Sequence, residues 1–183
     1  MSYYQDWEIT LEGESVCLTP FTEADCEAYY CLEMKHSTCD HETAVRHCHD
    51  ILNRSDEDEY HVIRLKGHEE MIGWIALQRD PENEPDIGIG LLKEYRNHGY
   101  GPEAVKILLN HLHREYQIKD AYAWIKKKNL QSQKAFAKIG AVFMEQSPDE
   151  EGLNILRNGS YKDRPEKVDE ITLYHYRIPL PVG

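Results

Sequence analysis

Leu91-Leu92-Lys93-Glu94-Tyr95-Arg96-Asn97-His98-Gly99-Tyr100-Gly101-Pro102 is the stretch whose reading decides the fold. Before it, Asp86-Ile87-Gly88-Ile89-Gly90-Leu91-Leu92 predicts a strand, and its two glycines predict a bulge or a close backbone approach. After it, Ala104, Val105, Leu108, Leu109 and Leu112 form one stripe of a helix from about Pro102 to Tyr116. Two glycines separated by one residue at such a junction let the chain turn tightly and aim several N–H groups at one point. The positive end of the helix dipole makes that point an anion site. Pro102 suits the first helical position, where a donor is not needed. The third glycine of a dinucleotide fingerprint is missing and no Gly-Lys-Ser/Thr follows, so neither of those phosphate motifs applies. An ordinary tight strand-to-helix turn accounts for the same residues.

Towards the C-terminus, Ala121-Tyr122-Ala123-Trp124-Ile125 reads as a short strand. Asn129 caps a helix from Leu130 to Ile139, Ser132 and Phe136 share a face one turn apart, and Gly140 fits a left-handed C-cap. Ala141 to Met144 begins a strand, Ser147 to Glu170 is a polar loop, and Ile171 to Ile178 is the last strand, with Tyr174 and Tyr176 on one face. Towards the N-terminus, Ser15 to Thr19 alternates as a strand ended by Pro20. Thr22 with Asp25 resembles a capping box for a helix to about Leu32. Asp40 caps a second helix whose apolar face is Ala44, Val45, Cys48, Ile51 and Leu52. Arg54 to Glu59 is a solvated connection, and Tyr60–Leu65 and Met71–Leu77 form a hairpin with Gly67 in its turn. Asp80 to Pro85 is a loop. The order β-α-α-β-β-β-α-β-α-β-β predicts an α/β fold: a sheet, antiparallel at first with a later crossover, covered by helices.

The 183 residues suit a single domain over 1–183. With 40% hydrophobic residues, 12 Tyr, 3 Phe and 3 Trp, the chain can build a core. A net charge of −12 is repelled by phosphate backbones, which argues against nucleic acid and favours cationic or amine-bearing partners. No segment is apolar enough to span a bilayer, so a membrane is not expected. The start lacks the basic and apolar regions of a signal peptide. Five cysteines, all at or before Cys48, read as free thiols of a cytoplasmic protein.

The two helix-opening segments together resemble the GNAT acetyltransferase superfamily. Its first motif, Gln/Arg-x-x-Gly-x-Gly/Ala, reads Arg96-Asn97-His98-Gly99-Tyr100-Gly101 here. Its second, Asn-x-x-Ser/Ala-x-x-x-aromatic-x-Lys-x-Gly-Phe, reads Asn129, Ser132, Phe136, Lys138, Gly140 and Ala141, with Ala141 in place of the usual Phe. The resemblance is strongest from Tyr60 to Phe143, and the opening strand, Ser132 and the last strand look most like the branch of ribosomal-protein N-terminal acetyltransferases.

The resemblance implies a GNAT-like α/β fold with a mixed central sheet of about six or seven strands, helices on both faces, and a splayed strand pair holding CoA. It implies an enzyme moving an acetyl group from acetyl-CoA directly to a primary amine, either a small cationic amine or a protein N-terminus. Amides around Asn97, His98, Gly99, Tyr100 and Gly101 would hold the pyrophosphate, with charge from Arg96. A backbone N–H at Leu91 or Leu92 would polarise the thioester carbonyl. Asn129 and Ser132 would face the pantetheine, and Lys134 or Lys138 the adenosine 3′-phosphate. Lys126, Lys127 and Lys128 form the one basic run, as a phosphate aid or a solvated strand end. Where the family often has a proton-donating Tyr this chain has Phe136, and Ser132 is the substitute for contact with the sulfur. Asp86 and Glu145 are the candidate bases. A non-catalytic acyl-CoA-binding module is the alternative. A third reading is a zinc-dependent partner-binding region among Cys26, Cys31, His36, Cys39, His41, His47, Cys48 and His49, against buried thiols and surface histidines, and no metal is expected. The expected state is monomer or homodimer, with the last strand available as a pairing edge.

Overall fold

The computed structural model describes residues 8–36, 40–53, 58–78, 85–148 and 172–183. Its strands are β1 (Leu11–Glu12), β2 (Val16–Pro20), β3 (Glu59–Leu65), β4 (Met71–Gln78), β5 (Asp86–Leu91), β6 (Asp120–Lys126), β7 (Val142–Pro148) and β8 (Thr172–Pro179). Its helices are α1 (Cys26–His36), α2 (His41–Leu52), α3 (Tyr100–Tyr116) and α4 (Leu130–Lys138). All strands join one sheet in the order β1-β2-β3-β4-β5-β6-β8-β7, so the sheet has eight strands, one or two more than expected. The two-residue β1, paired to β2, is too short to leave a periodic signal in sequence. Neighbours are antiparallel except β5 and β6.

Helices cover both faces. α3 and α4 pack Val105, Leu108, Leu109 and Phe136 onto Val16, Ile63, Ile75 and Ile178. On the other face α1 and α2 pack Tyr29, Leu32, Cys48 and Ile51 onto Tyr60, Val62 and Met71. The start of α1 is pinned to the sheet by charge. Asp25 is buried and accepts from the Thr22 N–H at 3.0 Å and hydroxyl at 2.8 Å, while Arg64 Nη2 of β3 lies 2.9 Å from the same carboxylate. Arg64 Nε also donates to Thr19 Oγ1 of β2 at 2.9 Å. Asp40 caps α2 through the Thr43 N–H, as its position predicts.

Several expectations change. Cys26 and Cys48 are not free thiols: packing α1 against α2 sets their Cα atoms 6.2 Å apart and they form a disulfide. An odd count leaves room for a pair, and nothing in the spacing reveals which helices meet. Cys17 and Cys31 are free, and Cys39 lies outside the described residues. The last strand β8 is paired on both sides, so β7 is the sheet's edge on that side, opposite β1. Val142, Phe143 and Met144 of that edge are exposed. Ser147 and Pro148 belong to β7 rather than to the loop. The rest of that loop, like residues 54–57 and most of the Asp80–Pro85 loop, lies outside the described residues. α3 begins at Tyr100, so Pro102 is its third residue, still in the first turn where an N–H has no helical partner. β5 has no bulge, because its register with β4 runs unbroken from Gly73↔Leu91 to Gln78↔Asp86. Its glycines are instead a close approach: a Cβ on Gly90 would stand 2.9 Å from the Trp74 indole.

Candidate functional site

β5 and β6 run parallel but share a single registered pair, Asp86↔Tyr122. At ~3.3 Å per residue, the Leu91 end of β5 is about 16 Å from that junction. A cleft of about 830 Å³ opens beside it. Ile89, Gly90 and Leu91 form one wall and α4, from Ser132 to Lys138, the other.

Backbone alternation decides which groups face the cleft. The Leu92 N–H donates to Ile72 O of β4 at 2.9 Å. In an antiparallel ladder, adjacent residues point their amides to opposite sides. The Leu91 amide therefore turns away from β4 towards the cleft, whereas the amide of Leu92, the alternative named from sequence, is bonded to β4. The Leu91 carbonyl is held by the Arg96 guanidinium, at 3.0 Å from Nε and 2.9 Å from Nη2. Arg96 thus fastens the turn to the strand it follows as well as lining the cleft.

Asn97 and Gly99 both have left-handed backbones, φ 65° and 88°. A Cβ on Gly99 would meet nothing within 4 Å, so only its conformation demands glycine. Asn97 Oδ1 accepts from Gln131 Nε2 at 3.0 Å, which ties the turn to the start of α4. Arg96, Asn97, Gly99 and Gly101 line the cleft, while His98 and Tyr100 stack on each other at 5.5 Å beside it. Across the gap, Asn129 Oδ1 caps the Ser132 N–H at 3.1 Å. Asn129, Ser132, Lys134, Phe136 and Lys138 all reach the cleft, and Phe136 is also core. Gln133 Nε2 fastens α4 to Lys127 O at 2.7 Å. The structure thereby brings together residues of two segments some thirty positions apart, as the two motifs require.

The two candidate bases do not line the cleft. Asp86 sits at the closed junction of β5 and β6. Glu145 is on the edge strand, with a side chain 66% exposed and 3.6 Å from His175 Nδ1. His175 stacks on Trp124 at 4.0 Å. Tyr174 and Tyr176 pack with Phe143 and do not enter the cleft, and burial pushes the Tyr176 hydroxyl up.

Sequence reasoning misses the cleft's far end, made by Leu32 and Glu33 of α1 and Trp74 of β4. Trp74 Nε1 donates to Glu33 Oε1 at 3.1 Å. Burial pushes the Glu33 carboxyl above the usual range, against smaller lowering effects of Trp74 and of His47 on α2. His47 Nδ1 is 2.6 Å from the Tyr29 hydroxyl and Nε2 is 3.2 Å from that of Tyr60. A readable signal existed for Trp74, which opposes Gly90 across the ladder where a large ring needs a bare backbone. Nothing comparable marks Glu33. Among the described residues, no three His, Cys, Asp or Glu side chains gather as a metal site.

The GNAT acetyltransferase domain model matches residues 15–142, about two thirds of the chain and both motifs. The chain belongs to the GNAT acetyltransferase family. That membership makes an acyltransferase its class. No curated protein matches the sequence. The fold is shared with a GNAT-family acetyltransferase from Bacillus anthracis, at TM-score 0.70 and 18% identity over 93% of this chain and 98% of that one. It is shared with RimL, a ribosomal L7/L12 alpha-N-protein acetyltransferase solved with coenzyme A, at TM-score 0.72 and 15% identity over 96% of this chain and 100% of that one. Mycobacterium smegmatis RimJ, solved with a CoA-disulfide, gives TM-score 0.70 and 15% identity over 95% of this chain and 88% of that one. At these identities the likeness is one of fold. No described helix of this GNAT chain is long and apolar enough to cross a membrane.

Proposed function

We propose that this GNAT chain is an N-acetyltransferase that moves the acetyl group of acetyl-CoA directly to a primary amine, a small cationic amine or a protein N-terminus. One observation carries the reading: a cleft beside a parting strand pair that has a left-handed glycine turn at a helix start on one side and Lys134 and Lys138 on the other. Such a turn, with the helix dipole behind it, suits a pyrophosphate, and the lysines suit the adenosine phosphate. The pantetheine would lie along Ile89 to Leu91 as an added strand, and the Leu91 amide would polarise the thioester carbonyl. The amine nitrogen then attacks that carbonyl carbon, and the C–S pair leaves on sulfur. An alkylammonium has a pKa near ~10.4, so a base must first take its proton. Ser132 is the group assigned to the leaving sulfur, since Phe136 has no proton to give. One domain over 1–183 acting in the cytoplasm, where acetyl-CoA is at hand, fits this reading, as does a monomer or a dimer.

Phe136 also favours a second reading, an acyl-CoA-binding module without transfer. Thermal melting with acetyl-CoA, followed by an amine panel assayed for CoA release, tests both. A ligand at 100 times its Kd adds ~2.7 kcal/mol, a rise of roughly 5–10 °C for a chain of this size. A rise with CoA release supports transfer, and a rise without release on any amine supports the module. No rise at millimolar acetyl-CoA would sink both.

A further inference from the structure

We propose that Glu33 is the catalytic base, the carboxylate that meets the acceptor ammonium and takes its proton. The proposal rests on the acyl-transfer reading above. Glu33 is the one carboxylate among the described residues lining the cleft, and the cleft's cationic side chains, Arg96, Lys134 and Lys138, come from the turn and α4. α1 and β4 thus supply an acidic station, and the turn and α4 supply cationic ones. The Leu91 amide belongs to the same wall as Gly90, which touches Trp74. The carboxylate is also positioned. Trp74 donates to it at 3.1 Å, and the indole is wedged over Gly88 and Gly90 and against Tyr60 at a ring distance of 5.6 Å.

The step balances as follows. R–NH3⁺ transfers a proton to the Glu33 carboxylate, giving R–NH2 and a carboxylic acid. The nitrogen lone pair forms the N–C bond, the C–S bond breaks onto sulfur, and the second N–H proton passes to the thiolate. Glu33 returns its proton to water, so the products are the acetamide, CoA thiol and one released proton.

Burial raises the Glu33 carboxyl, with Trp74 and His47 opposing. His47 of α2, held by Tyr29 and Tyr60, is the titratable neighbour, and the β4 and β5 residues that line the cleft with Glu33, Trp74, Ile89, Gly90 and Leu91, do not titrate. A base must be deprotonated to act, so kcat/KM falls as pH drops through its pKa, and a raised pKa moves that acid limb upward.

Glu33→Gln preserves size and an acceptor for Trp74. Wild type and variant are compared by melting with acetyl-CoA and by transfer to spermidine, kanamycin and a peptide with a free α-amino group, from about pH 5.5 to 9.5. The expected result is an unchanged acetyl-CoA shift, kcat/KM lower by roughly 10²–10⁴-fold, and no acid limb. Trp74→Phe, which removes the donor holding the pKa down, is expected to move the limb to higher pH and guards against a Glu33 variant that does not fold. A variant within about threefold of wild type that retains the limb overturns the base assignment alone. So does a limb that survives Glu33→Gln but vanishes in His47→Gln. Wild type that binds acetyl-CoA but acetylates no amine on the panel overturns Glu33 and transfer together. Wild type with no acetyl-CoA shift overturns the cleft reading itself.

Discussion

The two ends of the cleft are built by different means. At the turn and α4, each group is set by residues close in sequence: Gly99 and Asn97 by their backbone angles, Arg96 by the carbonyl five residues back, Ser132 by its cap Asn129. At the α1 and β4 end, Glu33 is set by Trp74, forty-one positions away, and Trp74 by glycines on another strand. The first end is a local construction, and local construction leaves motifs. The second is a tertiary one, and what it leaves in sequence is at most an isolated large residue opposite a small one.

That difference makes the two ends separable by mutation. The largest expected effect is at the tertiary end's anchor. Asp25→Ala leaves the partly buried Arg64 guanidinium without its carboxylate and removes the acceptor for both Thr22 donors. Breaking such a pair costs about 3–5 kcal/mol. Chemical denaturation should register that loss; a cost under about 1 kcal/mol would mean that α1 is held by its apolar face alone.

Next comes the local end. Gly99→Val puts a β-branched residue at φ 88° with open space around its side chain. The fold should survive, and the ~2.7 kcal/mol that acetyl-CoA adds at 100 times its Kd should vanish. An unchanged melting shift would return the turn to an ordinary connection.

Legibility follows the same division. The element order from β2 onward, both motifs, the Asp40 cap and the left-handed Gly140 are all readable, because caps and turns are written within four residues of where they act. The disulfide, the β7 edge and Glu33 are not, because each depends on which elements meet. Cys26 and Cys48 look like two buried thiols until α1 and α2 are packed. β8 reads as an edge because it comes last, yet it enters the sheet between β6 and β7. Leu92 stands equal to Leu91 in sequence, and only the strand register shows that its amide is already bonded to Ile72.

A smaller effect probes the tertiary end directly. In Gly90→Ala the new Cβ meets the Trp74 ring at 2.9 Å and Leu32 Cδ2 at 3.0 Å, so the indole must shift. Overpacking of this kind costs about 1–3 kcal/mol. Because Trp74 holds Glu33, kcat should fall while the acetyl-CoA shift persists. Gly88→Ala, whose Cβ stands 3.3 Å from the same ring, should do less on both counts. Equal losses in the two would mean that Trp74 does not set the carboxylate.

The smallest effect asks how far a purely local device holds α2. Asp40 is exposed, and the Thr43 N–H and hydroxyl hold its carboxyl below the ordinary value of 3.8. A carboxyl whose pKa is lowered on folding stabilises the fold above its unfolded pKa, and that contribution fades as pH falls towards the folded value. The window therefore lies on the acid side, below about pH 4. Asn is as good a cap as Asp but cannot ionise. Asp40→Asn should leave the neutral melting temperature nearly unchanged and flatten the acid-side slope, whereas Asp40→Ala should lower melting slightly at both pH values. If wild type, Asp40→Asn and Asp40→Ala all melt alike at neutral pH, neither the charge of Asp40 nor its hydrogen bond holds α2 in place. α2 would then be held in place by its buried face alone, through Ala44, Cys48 and Ile51.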